Sequence, residues 1–371
     1  MKQSRENPNI ALVHEWLTVV AGGEKVLKAL AEIYPKAPIY TSVYDERKVT
    51  GFEKSTIIPS FLQNIPLLKS HREFLVPFVP FAFEQFDLSK YDVVISSTTV
   101  GAKGVLTKPG TIHICYCHTP TRYIWEPHVD PRASQGKFGW LRRKVSHKLR
   151  IWDRVAADRV DFFLANSRYV ANRIKKYYKR DAMVVYPPVD VELFKPVPAS
   201  QIGDYFLFVS RLVDYKRCDI VVEAFNQTGH KLKIIGGGPE EQKLKSIAKS
   251  NIEFLGPKYG EDLRDYFARA KAFVFVAEED FGIVPVEAMA CGRPVIAYCQ
   301  GGVKESVIPG ITGMIFQEQT PESLALAIKH FEVADYDPIQ IRQQAEKFST
   351  ERFKAEIVKI VDQIWREKGP R

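Results

Sequence analysis

Two doubly wound α/β domains are the fold that this sequence predicts, and three observations predict it. Short apolar runs alternate with amphipathic helical stretches, the order expected of a parallel sheet wrapped by helices. The series occurs twice, interrupted near residues 187–203 by Pro187-Pro188-Val-Asp190 followed by Pro196 and Pro198, a proline density that breaks regular structure. The length of 371 residues holds about two domains of ordinary size. With 45% hydrophobic and 26% charged residues, the chain has enough apolar material for two cores and is not a mainly disordered one. The expected domains cover 1–190 and 203–345.

In the first series, Ile10–His14 is an apolar run, followed by a loop with Gly22-Gly23 and a helical pattern from Glu24 to Ile33. Tyr91–Ser96, Thr111–Cys117 and Phe162–Ala165 read as buried strands. Asn166-Ser167 precedes an amphipathic run, Arg168 to Tyr178, and Ser167 is placed to cap it. Val184–Tyr186 closes this half. The second series has strands at Tyr205–Val209, Leu232–Ile235, Ile252–Leu255, Ala272–Val276, Pro294–Ala297 and Gly313–Phe316, and a last helix at about Thr350–Arg366. The aromatic segment Phe74 to Phe83 carries Pro77 and Pro80, which exclude a regular helix across it. It is expected to pack in the core, with a lid or acceptor-side loop as the other reading.

Charge is unevenly placed. Of the net +9, residues 1–200 hold 30 basic against 19 acidic side chains, and residues 201–371 hold 23 against 25. Residues 101–180 alone hold 18 against 5, a local positive field that suits phosphates or an anionic membrane. From Lys137 to Arg159, the basic Arg142, Arg143, Lys144, Lys148 and Arg150 interleave with Trp140, Leu141, Val145, Leu149 and Trp152 at helical spacing. Two readings stand: a helix lying in a membrane interface or gripping a lipid diphosphate, or a surface helix packing its apolar stripe on the core. Five cysteines at irregular spacing do not make a disulfide framework and read as small buried thiols of a reducing compartment. Met1 to Asn9 is polar, unlike a secretory signal. No stretch approaches the roughly 18 apolar residues of a membrane-spanning helix. The expected location is cytoplasmic, with peripheral attachment to the cytoplasmic face of the inner membrane as the membrane reading requires.

The most specific motif is Glu279-Asp-Phe-Gly-Ile-Val-Pro-Val-Glu287, continued by Ala288-Met-Ala-Cys-Gly292-Arg-Pro294. It reads as strand, turn and helix start. Gly282 there lets backbone N–H groups approach a ligand, and the positive end of the following helix suits a diphosphate. Ser210-Arg211-Leu-Val-Asp-Tyr-Lys216 follows a strand and supplies a rigid guanidinium fork and a mobile ammonium for phosphate oxygens. Gly236-Gly237-Gly238-Pro239 ends another strand but lacks the third, offset glycine of the dinucleotide fingerprint. Gly22-Gly23 and Gly301-Gly302 are further close-approach loops. Tyr116-Cys-His118-Thr-Pro-Thr-Arg122-Tyr123 lies at a strand's carboxyl end, where open α/β sheets bind ligands.

This combination resembles the retaining glycosyltransferases of family 4, whose GT-B architecture has two Rossmann-like domains facing across a cleft. The likeness runs from Gly22-Gly23 to the C-terminal helix and is strongest from Arg211 to Glu305. His14-Glu15-Trp16 and the His118 stretch resemble mannosyl- and rhamnosyltransferases of bacterial surface polysaccharide (O-antigen) synthesis. The resemblance implies that Arg211 and Lys216 hold the donor diphosphate, that Glu279 contacts the donor sugar and that Glu287 meets the ribose. It implies that Phe281, Gly282, Ile283 and Val284 form the turn at the phosphate and sugar. Lys258 and Tyr259 fall near the base, Gly237 joins the donor site, and Gly22 and Gly23 approach it from the N-terminal domain. His118 lies beside the reacting sugar, and with Glu279, Arg211 and Lys216 makes the catalytic set. His14, Glu15 and Arg122 fall on the acceptor side, although the loop from His14 to Gly22 is longer than in many relatives. The last helix, 350–371, is expected to cross back to the N-terminal domain. No cofactor and no metal are expected, and Asp335-Tyr-Asp337 reads as a surface turn.

The implied reaction moves a hexose from a nucleotide diphosphate sugar to a lipid-linked or saccharide acceptor, with GDP-mannose favoured and UDP-sugars close behind. A nucleotide-sugar 2-epimerase would need no basic, aromatic acceptor surface. A nucleic-acid binder rests on charge alone, without a recognised motif; a nicotinamide-dependent dehydrogenase lacks the glycine fingerprint.

Overall fold

The computed structural model describes residues 7–19, 21–65, 76–127 and 139–369. The chain forms two compact units, one of residues 1–188 with 353–371 and the other of residues 189–352.

The first unit is built on a seven-stranded sheet: β1 (Ile10–His14), β2 (Ile39–Thr41), β3 (Ile57–Pro59), β4 (Val93–Thr98), β5 (Ile112–Cys117), β6 (Phe162–Ala165) and β7 (Ala182–Val184). The order is β3-β2-β1-β4-β5-β6-β7, and every pair is parallel. β1, β4 and β5 are buried along their whole length, so they do not alternate between apolar and polar residues; the polar Ser96, Ser97 and Thr98 at the end of β4 are buried with the rest. Cys115 and Cys117, two apart on β5, share one face and one cluster with Val170, Ile174 and Tyr178. The helix Arg168–Tyr178 begins where Ser167 Oγ accepts from Val170 N at 3.0 Å, the cap expected of that serine.

The last helix, Thr350–Lys368, presents Phe353, Ile357, Val361 and Ile364 at helical spacing, and all four lie in the core of the first unit. The Phe353 ring meets that of Tyr116 edge-on at 5.7 Å, and Lys354 pairs with Glu32 at 2.8 Å. From Phe353 onward the helix thus returns to the N-terminal unit.

Three local readings change. β4 runs two residues later than the expected Tyr91–Ser96, and β7 precedes the expected Val184–Tyr186. The proline-broken aromatic segment, of which Phe74 lies outside the described residues, holds a 3-10 turn Val76–Phe78 and then a helix Val79–Glu84. Pro80 sits in that helix's first turn, where its missing N–H costs nothing. Only half the segment packs: Val79, Ala82 and Phe83 are buried, whereas Phe78 and Phe81 are exposed.

The second unit holds β8 (Phe206–Val209), β9 (Leu232–Ile235), β10 (Ile252–Phe254), β11 (Phe273–Phe275), β12 (Val295–Tyr298) and β13 (Gly313–Phe316). They lie in the order β10-β9-β8-β11-β12-β13, all parallel. The proline-dense stretch after Pro188 packs on this unit. Val189 bridges to Ser349, and Arg342 donates to the carbonyls of Val191 and Phe194. Asp337 caps the helix Pro338–Glu346, its Oδ1 accepting from Ile339 N at 2.9 Å.

Candidate active site

Each sheet reverses its strand order once, between β1 and β4 in the first unit and between β8 and β11 in the second. Crevices outside the carboxyl ends of strands at such points are where open α/β sheets bind ligands. The chemistry-bearing residues collect there in both units.

In the second unit, Arg211 and Lys216 follow β8 and Glu279 follows β11. Lys216 ends a 3-10 turn, Asp214–Lys216, and its ammonium is paired with the Glu279 carboxylate. Both side chains keep part of their surface in solvent, 16% and 27%, so a ligand can reach them. Arg211 is exposed and donates from Nη2 to the Tyr215 hydroxyl at 3.0 Å. The turn after Glu279 leads into the helix Ile283–Ala290 through Gly282, whose φ of 85° is left-handed and favours glycine. Ile283 and Val284 form the first turn and are partly exposed; Phe281 turns inward, its ring 5.4 Å from that of Phe348.

This turn is locked to the loop after β12. Gly302 N donates to Glu279 O at 2.8 Å. A Cβ on Gly301 would stand 2.4 Å from Glu279 O, and one on Gly302 2.2 Å from Asp280 O, so neither position admits a side chain without displacing backbone. Gly236 and Gly238 repeat the device after β9: a Cβ at 236 would fall 1.8 Å from Ser210 O and one at 238 2.2 Å from Leu212 O. Gly237 between them makes only ordinary contacts. Lys258 is partly exposed and Tyr259 is exposed at the start of the helix Gly260–Ala268. Glu287, expected at the ribose, is buried, with 3% of its surface exposed.

In the first unit, His14 ends β1 and pairs in register with Ser97 on β4. His14 Nδ1 lies 3.1 Å from Ser97 Oγ, and the same oxygen lies 2.8 Å from His118 Nε2, at the end of β5. Glu24 completes the group, its Oε1 3.7 Å from His14 Nε2. Burial pushes the Glu24 carboxyl up, but its interaction with His14 and the backbone N–H groups of Ala21 and Glu24 outweigh it and hold the group below the usual carboxylate range. Gly22 and Gly23 open the helix Gly22–Ile33; a Cβ at 23 would stand 3.6 Å from both His118 Nε2 and His14 Cε1. Neither Ser97 nor Glu24 stood out in the sequence. The polar run Ser96-Ser97-Thr98-Thr99 at the end of a buried strand is the signal that marks the first.

Glu15, expected on the acceptor side, is instead a buried anchor. Its carboxylate accepts from the backbone N–H of Thr99, Val100, Gly101 and Ala102 at 2.8 to 3.1 Å and from the Thr98 hydroxyl. The segment from His118 to Glu126 is clamped from behind. Asn166 Nδ2 donates to His118 O at 2.9 Å, and Arg173 grips the Glu126 carboxylate with two nitrogens. Arg122 begins the short helix Arg122–Trp125 and is partly exposed.

Trp125 reaches a second buried group. Its Nε1 donates to Asp153 Oδ2 at 2.6 Å, the Tyr178 hydroxyl donates to the same oxygen at 2.8 Å, and Lys103 pairs with Asp153. Burial lowers the Lys103 ammonium, but the Asp153 charge more than restores it and holds it above its ordinary value. Asp153 belongs to the helix Gly139–Asp158, which carries the basic stretch; Lys137 lies outside the described residues. The apolar stripe divides. Leu149 is buried, whereas Trp140 and Leu141 are exposed beside exposed Arg142, Arg143 and Lys144. No helix among the described residues is long and apolar enough to cross a membrane.

The family model for glycosyltransferase family 4 matches residues 20–193, and that for group 1 glycosyl transferases matches residues 190–348. An uncharacterised glycosyltransferase of Methanocaldococcus jannaschii is 32% identical over 188 residues, covering 49% of this chain and 52% of that protein. The D-inositol 3-phosphate glycosyltransferase of Mycobacterium bovis is 30% identical over 207 residues, covering 48% and 42%. The chain spans about half the length of the curated relatives it matches. Among solved structures, HepE of Anabaena in complex with UDP matches with a TM-score of 0.69 at 20% identity, over 95% of this chain and 100% of that one. Sucrose-phosphate synthase of Thermosynechococcus elongatus matches with a TM-score of 0.76 at 18% identity, over 96% and 100%. At these identities the structural likeness is one of fold. Matched by two family models in succession from residue 20 to residue 348, the chain belongs to the family 4-like glycosyltransferases of GT-B fold.

Proposed function

We propose that the chain transfers a hexose from a nucleotide diphosphate sugar to an acceptor hydroxyl with retention of the anomeric configuration, and that it needs no metal. The observation that carries this reading is the group at the carboxyl ends of β8 and β11: Arg211, the Lys216–Glu279 pair and the glycine-opened helix start at Gly282. Two cationic side chains and a helix N-terminus suit a diphosphate. As the sugar carbon takes on oxocarbenium character, negative charge grows on the leaving diphosphate, and these groups stabilise it where it develops. Glu279 releases Lys216 to the phosphate and turns its own oxygens to sugar hydroxyls. A leaving phosphate oxygen takes the acceptor proton, so the chain supplies no separate base.

A neighbour solved with UDP supports a nucleotide-linked donor. GDP-mannose is the favoured donor, with UDP-sugars the second reading. A lipid-linked saccharide of surface polysaccharide synthesis is the favoured acceptor. The exposed Trp140 and Leu141 among basic residues support contact with an anionic membrane surface, at the cytoplasmic face of the inner membrane, since indole and basic side chains partition there.

A thermal-shift panel of GDP, UDP, ADP and dTDP with their sugar conjugates tests the donor, on the wild type and on Lys216→Met. One nucleotide at 100 times its dissociation constant should stabilise the wild type by about 2.7 kcal/mol. The variant should lose most of that effect, because a charge-assisted phosphate contact is gone. A folded protein that no nucleotide shifts overturns the reading.

A further inference from the structure

The Ser97 hydroxyl stands between two imidazoles, 3.1 Å from His14 Nδ1 and 2.8 Å from His118 Nε2. Ser97 and His14 are both buried. A hydroxyl has one proton and two acceptor lone pairs, so it donates to one ring only, and the role of one imidazole constrains that of the other. Glu24 sets the direction. Its Oε1 lies 3.7 Å from His14 Nε2, which favours a proton on that nitrogen. Its Oε2 accepts from Ala21 N at 2.9 Å, fixing the carboxylate at the start of the helix Gly22–Ile33.

The hydrogen bonds then follow in order. Neutral His14, with its proton at Nε2, has its lone pair at Nδ1 and accepts the Ser97 proton. Ser97 Oγ has lone pairs left and accepts from His118 Nε2–H. Neutral His118 therefore carries its lone pair at Nδ1. The opposite assignment, with Ser97 donating to His118, either turns the Nε2 lone pair of a neutral His14 towards the Glu24 carboxylate or needs a second proton on His14; with both rings neutral, the first assignment is the one that presents an N–H to Glu24.

We propose that Ser97 and Glu24 are positioning residues for His118: acting through His14, they hold its neutral imidazole in the Nε2–H form and in one ring orientation. The consequence for catalysis rests on the glycosyl-transfer reading; the assignment of the proton does not. His14 takes its place in this relay rather than on the acceptor side.

Imidazole ¹⁵N spectra at pH 8.5, where ordinary histidines are neutral, test it on the wild type, Ser97→Ala and Glu24→Gln, with His118→Gln to assign the signals. Glu24→Gln keeps the side-chain shape and an oxygen for Ala21 N, so it serves if Ser97→Ala fails to fold. The wild type should show His118 protonated at Nε2, Ser97→Ala a mixture of both forms, and Glu24→Gln, whose amide N–H groups then face His14 Nε2, a shift towards the Nδ1–H form. In a transfer assay, both variants should lose about tenfold to a hundredfold in kcat, the scale of a misplaced catalytic group, with little change in donor KM. Ser97→Thr, which keeps the hydroxyl, should recover the wild-type spectrum. A His118 protonated at Nδ1 in the wild type, or a ratio of forms that neither variant changes, overturns the proposal. If no donor supports transfer, the function falls while the spectra still decide the relay.

Discussion

The strand ends of the first unit are organised by side chains bonded to one another out of solvent; those of the second are organised by backbone packed where a side chain cannot fit. His14, Glu15, Ser97, Lys103 and Asp153 are all buried, and each has its polar partners within hydrogen-bond reach. In the second unit Arg211, Lys216 and Glu279 remain reachable from solvent, and the precision lies beneath them, in Gly236, Gly238, Gly301 and Gly302. A buried polar network is costly to leave half satisfied, whereas a close backbone approach fails when a methyl group is added. The two units should therefore break under opposite kinds of substitution, one by deletion and the other by addition.

The largest effect should come from deletion in the first unit. Asp153→Ala strands the Lys103 ammonium and leaves the Trp125 and Tyr178 donors without their acceptor. It should cost about 4 kcal/mol, as breaking one side of a buried pair does. All five tryptophans fall in residues 1–188 and 353–371, so urea unfolding followed by their emission reports that unit alone. A loss near zero would mean that the network is not what holds the helix Gly139–Asp158 in place.

Addition in the second unit comes next. Gly236→Ala places a methyl 1.8 Å from Ser210 O at a φ of 133°, and should cost about 3 kcal/mol from overlap and backbone strain together. Calorimetry should show the transition of the second unit lowered while tryptophan emission keeps the wild-type midpoint. An unchanged calorimetric trace breaks the comparison.

A smaller effect separates the units by pH. Burial pushes His113, on β5, down to about 3. Between that value and the ordinary imidazole range the unfolded chain binds the extra proton, so stability is present at neutral pH and is lost as the pH falls. The contribution lost between pH 7 and pH 5 should be about 2 kcal/mol. His113→Gln should flatten that acid limb in tryptophan-monitored unfolding, and an equally steep limb in the variant would assign it to other groups.

How much was legible in the sequence follows the same division. β1, β6, β9 and β13 begin and end where their apolar runs do, because their mostly buried residues leave the flanking polar ones outside the strand. β2 ends in Thr41 and β3 in Pro59, so neither carries three apolar residues in a row as the equally short β11 does. The motifs of the second unit are contiguous stretches, so Arg211, Lys216, Glu279 and Gly282 announce themselves, although the Lys216–Glu279 pairing itself spans 63 positions. The relay in the first unit joins His14, Ser97 and His118 through the register of three strands, and no local pattern encodes that. Glu15 misleads for a related reason: a carboxylate beside a strand end looks ready for a ligand until the fold brings a run of backbone N–H groups onto it.

The returning helix has a consequence for the order in which the protein is made. Phe353, Ile357, Val361 and Ile364 complete the core of the unit that begins the chain, yet they are translated after every residue of the other. Until the last helix has been made, the first unit, though begun earlier, exposes the apolar face that Phe353 will cover. The earlier-started unit is thus the later to finish. Its unfilled groove is then open to chaperone capture, and a nascent chain halted before Phe353 should be recognised there.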